Sequence, residues 1–183
     1  MTNLSVFANG IEKQLKDNIE SFWNEASFFG SVRLIDMGDD EYHAAYIEKP
    51  KKVGKKYVAS DLKGIYIWKC KDEVLYVGKT DAPSTSIYSR QRSHISSYEK
   101  PWTDSESSGR KYREYLAEND LDYLDIEISY IDTSEFDIKG IAELLESATI
   151  DFFKPVLNSE IKGKGKRTAH EYVDKYKNVA KIS

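Results

Sequence analysis

Two short segments rich in aromatic and β-branched residues, 62–68 and 73–77, lie on either side of Lys71-Asp72, and together they predict a β-hairpin. The hairpin carries the strings Gly64-Ile65-Tyr66 and Tyr76-Val77-Gly78 on adjacent strands. Opposed residues on such strands have Cβ atoms about 4.5–5.5 Å apart, so two phenols on one face can share a small site. Tyrosine is a favoured strand residue and the chain has 13 of them, so the hairpin alone indicates a fold and not a chemistry.

The rest of the chain supplies the partners for that hairpin. Ile11, Leu15, Ile19, Phe22, Trp23 and Ala26 recur at helical spacing, predicting an amphipathic helix over about 10–28 that Gly30 ends. Strands are expected at 32–37 and 42–47 around the Gly38-Asp39-Asp40 turn, followed by a basic loop at 49–56. After the hairpin, Ile87, Tyr88, Gln91, His94 and Ile95 read as a helix over 85–97, on which Arg90 and His94 stand four apart and share a face. A polar helix is expected at 109–118, a strictly alternating strand at 125–131, and an apolar helix at 138–153 that Pro155 ends. Glu146 is a carboxylate inside that apolar run, where burial costs several kcal/mol unless the charge is paired or metal-bound.

Composition bounds the function classes. The chain of 183 residues is 40% hydrophobic and 32% charged, ordinary for a globular protein, and no apolar run approaches the roughly 20 residues of a membrane span. A basic start followed by an apolar signal core is missing, and the one cysteine, Cys70, can form neither an internal disulfide nor a cysteine-rich zinc site; both point to a cytoplasmic protein. The net charge of -4 argues against a nucleic-acid partner, but its distribution argues the other way. Residues 101–160 carry five basic and fifteen acidic residues, 61–100 carry seven and five, and 161–183 carry seven and two. The 162–167 run of lysines, glycines and arginine reads either as a solvated linker or as an arm that follows phosphates.

Taken in order, Gly64-Ile65-Tyr66, Tyr76-Val77-Gly78-Lys79, Arg90 with His94, Leu145-Glu146 and Pro155-Val156-Leu157-Asn158 resemble the GIY-YIG nuclease family. The likeness covers about 63–158; Val77 stands where the family has isoleucine, and the insertion at 99–121 is long for its smaller members. The resemblance implies an α/β fold of the α+β type, a small three-stranded antiparallel sheet flanked by helices. It divides the chain into an N-terminal helical and strand extension at 1–60, a nuclease domain at 61–160 and a basic tail at 161–183.

It also implies hydrolysis of phosphodiester bonds, with nucleic acid, above all double-stranded DNA, as partner. One magnesium or manganese ion per site would be held by Glu146, since such hard cations accept a single carboxylate and keep most of their waters. In this reading Tyr66 is the general base, its proton affinity lowered by Lys79, Arg90 and the metal. Tyr76 orients water or phosphate, Arg90 binds the phosphate, and His94 relays a proton. Lys79, Arg92 and Asn158 are expected to contact substrate, Asn158 also positioning Glu146 or its loop, while His43 and His170 are surface or substrate contacts. No appended DNA-reading motif is recognisable, so specificity would come from the extension, the insertion or a homodimer. The competing reading is a binding or interaction module that keeps the fold without turnover.

Overall fold

A computed structural model describes residues 18–19, 21–100, 108–136 and 140–159. The basic tail at 161–183, with His170, therefore lies outside the described residues, as do the first part of the N-terminal helix and parts of the 99–121 insertion.

The described chain is a mixed α/β body built on one antiparallel sheet of five strands, in the order β2-β1-β7-β5-β6. Its strands are β1 Ser27–Gly38, β2 Glu41–Glu48, β5 Gly64–Cys70, β6 Glu73–Thr80 and β7 Tyr123–Asp132. A separate two-stranded ribbon, β3 Lys52–Val53 with β4 Lys56–Tyr57, occupies the expected basic loop. The helices are α1 Ile87–Tyr98, α2 Ser108–Glu118, α3 Ile141–Phe153 and the short α4 Val156–Ser159.

The expected three-stranded unit is present as β7-β5-β6, but it is only part of the sheet. β1 pairs along β7, with Val32 opposite Ile126 and Leu34 opposite Leu124, so the extension and the hairpin share one layer. The N-terminal helix also ends sooner than its periodicity predicts. Residues 21–24 are helical, whereas Ser27 and Phe28 already belong to β1, because pairing with Tyr130 and Ser129 of β7 outweighs local helix preference. Gly30, expected to stop the helix, instead sits at a register shift within β1.

Alternation along the strands divides the core into two. Tyr66, Trp68, Tyr76, Ile126 and Ile128 pack under α1 and α2 with Tyr98, Tyr112 and Leu116. Ile65, Ile67, Val74 and Val77 face the other way, against Ala142, Leu145 and Ala148 of α3 and against Ile19 and Trp23. Trp23 donates from its indole Nε1 to Thr149 Oγ1 at 3.1 Å, tying the N-terminal helical residues to α3.

The ends of α1 are specified locally. Ser86 caps its start, accepting from the Ser89 backbone N–H while Ser89 Oγ accepts from that of Ser86. At its other end the insertion takes over. Arg113 of α2, buried, donates to the carbonyls of Ser97 at 3.0 Å and Tyr98 at 2.9 Å, satisfying acceptors that the helix leaves open. Gly109 permits this contact, since a Cβ there would lie 2.5 Å from the Tyr98 backbone nitrogen. No helix among the described residues is long and apolar enough to cross a membrane.

Candidate active site

The register of the hairpin decides how the two tyrosines meet. Gly78, not Tyr76, lies opposite Tyr66, and Tyr76 lies opposite Trp68. The phenols are therefore diagonal neighbours on one face, their ring centroids 6.3 Å apart. Gly78 leaves the space that the Tyr66 ring fills: a Cβ on it would lie 2.6 Å from Tyr66 Cζ.

Tyr66 is fully buried, and its hydroxyl is 2.7 Å from Nε2 of His94, which α1 presents from above. The His94 ring also stands edge-on to Tyr76 at 5.4 Å and to Trp68 at 5.6 Å. Arg90, one turn earlier on α1, brings its positive charge beside both phenols, and Glu146 of α3, half-buried, lies near enough to act on the charge of Tyr66, Tyr76 and Arg90. Four of the expected site residues, Tyr66, Tyr76, Arg90 and His94, are thus brought together, with Glu146 within electrostatic reach of them.

The electrostatics correct one expectation. Burial holds the proton on Tyr66, raising its pKa well above the usual 10, and Arg90 beside it offsets only part of that effect. Burial raises Tyr76 too, with the Glu146 carboxylate adding to it. His94 moves the opposite way: burial, then the Arg90 charge, lower its pKa to about 3. At neutral pH the pair is a neutral phenol against a neutral imidazole. With the proton on the phenol, Nε2 is the acceptor.

That depression has a measurable consequence. A histidine in the unfolded chain titrates near 6.5, so between pH 6.5 and 3 the unfolded state binds the proton first and stability falls as pH falls. From His94 alone the loss is about 2 kcal/mol by pH 5. Urea unfolding at pH 7 and pH 5 should show this loss in the wild type and not in His94→Gln; equal losses in both would assign the acid sensitivity elsewhere.

Two other expected contacts, Lys79 and Asn158, are already engaged within the fold. Lys79 projects from the opposite face of β6 and is tied to Asp81 at 2.5 Å and Glu143 at 3.0 Å, so its charge is engaged by those carboxylates. Asn158 is buried and both ends of its amide are spent on Val77, accepting from the backbone N–H at 2.7 Å and donating to the carbonyl at 2.8 Å. It completes the open edge of β6 and so fixes the strand that carries Tyr76 and Gly78, a positioning role and not a substrate contact. Arg92 is exposed on α1 away from the phenols, and His43 is exposed on β2, 3.4 Å from Glu99.

Two residues that the motifs do not single out support the site. Tyr112 of α2 is buried, stacks on Trp68 at 4.7 Å and meets Tyr76 edge-on at 6.4 Å, and Gln91 accepts from the Trp68 indole at 2.6 Å. The signal for Tyr112 is its spacing of four from Leu116, which gives the polar helix one apolar face.

The donor set fits a single hard cation. Among the described residues no group of three His, Cys, Asp or Glu side chains is close enough to hold a metal alone. A magnesium ion needs only one or two carboxylates when waters and phosphate oxygens complete its shell, and Glu146, within electrostatic reach of Arg90 and the phenols, is the carboxylate that would supply one. The chain matches no protein-family model, no curated protein and no solved structure. The functional reading therefore rests on the residues and their geometry.

Proposed function

We propose that this protein is a metal-dependent endonuclease of the GIY-YIG type that hydrolyses phosphodiester bonds in DNA. The observation that carries the reading is the convergence of Tyr66, Tyr76, Arg90 and His94 on one face of the hairpin, with Glu146 acting on the same charges. The five-stranded sheet contains the β7-β5-β6 unit that the resemblance calls for.

Arg90 binds the scissile phosphate through paired donors. Phosphate bound there also offsets the Arg90 charge, one of the two causes that depress His94, and so raises the basicity of Nε2. Tyr66 then takes a proton from the attacking water while passing its own to His94 Nε2, 2.7 Å away. The hydroxide oxygen forms the new bond to phosphorus, and the bond to the leaving sugar oxygen breaks, its electron pair departing with that oxygen, which takes a proton from solvent while His94 returns its own to solvent. Tyr76 orients the water or the phosphate. One magnesium or manganese ion, bound at Glu146, would supply neutralisation of the charge that builds up on the phosphate.

The test is incubation of supercoiled plasmid with the protein and magnesium, and again with a chelator. Nicked or linear product only in the first condition is expected. Binding to the plasmid without nicking in either condition overturns the catalytic reading in favour of an idle binding module.

A further inference from the structure

The outer face of α1 is a surface that the catalytic geometry does not use. Tyr88, Arg92, Lys100 and four serines line a shallow, open groove of about 560 Å³ along it. Among the described residues two cations and no carboxylate line this groove, in a chain whose net charge is -4. Glu99, next to Lys100 in the chain, is turned to β2, where it accepts from the Ala44 backbone N–H at 3.1 Å and lies 3.4 Å from His43. Arg90 follows Ser89 of the groove in the chain and stands one turn before the buried His94 on the same helix.

The aromatic rings at the head of the groove are already occupied. Tyr57 of β4 stacks on Tyr88 at 4.3 Å and 17°, Lys52 of β3 stands over the Tyr57 ring at 4.5 Å, and Phe29 lies 6.3 Å from Tyr88. Rings so engaged form no open platform of the kind on which unpaired bases stack. The groove offers hydroxyls, guanidinium and ammonium groups, which suit phosphate and sugar oxygens. Its length also fits a duplex: from Ser89 to Tyr98 the helix rises about 14 Å, with Lys100 just beyond its end, and phosphates recur about every 3.4 Å of axis along each strand.

We infer that the outer face of α1, through Arg92 and Lys100, is the track for the phosphate backbone of duplex nucleic acid flanking the scissile bond, with the β3–β4 ribbon closing its near end. The inference rests on the reading that nucleic acid is the substrate of the Tyr66–Arg90 site. The ribbon, an outgrowth of the extension, sets Lys52 over Tyr57 and holds the ring stack that keeps the head of the groove closed to bases.

The test is fluorescence anisotropy with a short labelled duplex and with its component single strand, in chelator so that no turnover intervenes, across a salt titration. Each cation removed from a phosphate should lower the slope of log affinity against log salt by about 0.9, so Arg92→Ala with Lys100→Ala lowers it by about 1.8 and weakens duplex binding about 60-fold at about 0.1 M salt. Arg92→Lys with Lys100→Arg, which keeps both charges, should bind as the wild type does, and the wild type should prefer duplex to single strand. A double alanine variant with wild-type affinity and slope overturns the inference, as does equal binding of the single strand. Plasmid nicking separates the two readings. Binding through Arg92 and Lys100 without nicking supports the track and removes the catalytic reading; nicking with no effect of the double alanine variant on binding does the reverse.

Discussion

Tyr66→Phe is expected to lower magnesium-dependent cleavage by about 10²- to 10⁴-fold, the range over which a positioned proton-transfer group contributes. Glu146→Gln should reduce it to background. The geometry separates the two tyrosines. Tyr66 is fully buried and has an imidazole nitrogen 2.7 Å from its oxygen to receive its proton, whereas Tyr76 meets His94 only ring edge to ring face. Tyr76→Phe should therefore cost less than Tyr66→Phe. Removing the Tyr66 hydroxyl takes a buried hydrogen-bond partner away from Nε2, a loss of about 1–3 kcal/mol, so the comparison is made where unfolding curves show both proteins folded. The pH dependence carries a further distinction. If the phenolate itself were the base, activity would keep climbing through the tyrosine range near pH 10; a relay into His94 has no such requirement. Cleavage by Tyr66→Phe at the wild-type rate would sink the relay.

What is legible in the sequence is local. The strands of the hairpin, the alternation around Ile126 and Ile128, the helix that begins at Ser86 and the one that ends before Pro155 each announce themselves within a few residues. The convergence of Tyr66, Tyr76, Arg90 and His94 follows from those elements, because the hairpin and α1 are adjacent in the chain. The illegible features depend on pairing across long separations. The run of β1 along β7 matches residues such as Val32 and Ile126, and nothing in either segment names the other, so the motifs imply three strands where the sheet has five. Lys79 is free for substrate by its motif alone, but α3 brings Glu143 to it from 64 positions away; Asn158 is likewise free until β6 takes it across 81. The ionisation of Tyr66 is hidden for a related reason. Neighbouring positive charge can be inferred from a motif, but the desolvation that outweighs it depends on how Trp68, Tyr112 and α1 close over the ring.

Gly64→Ala and Gly78→Ala should differ sharply although both glycines sit in one hairpin, opposite Thr80 and Tyr66. Gly64 adopts φ +150, and a Cβ on it would overlap the Ile131 carbonyl oxygen and lie 3.0 Å from the Thr133 nitrogen. Both obstacles are backbone of β7 and the segment after it, held by the Thr133 N–H bond to the Lys63 carbonyl at 2.8 Å, so neither can step aside without breaking the β5–β7 pairing. A strained dihedral combined with overpacking places this substitution among the exceptional losses, above about 4 kcal/mol. At Gly78 the obstacle is the far end of the Tyr66 side chain, with Cζ at 2.6 Å and Cε2 at 2.9 Å from the added carbon. A side chain can turn away for about 1–3 kcal/mol, but in turning it leaves His94 Nε2. Gly78→Ala is thus expected to stay folded and lose cleavage about as severely as Tyr66→Phe, while Gly64→Ala is expected to lose the fold. Urea unfolding and plasmid nicking on the two variants decide it: nicking at the wild-type rate by Gly78→Ala would mean that the Tyr66–His94 contact is not what drives the reaction.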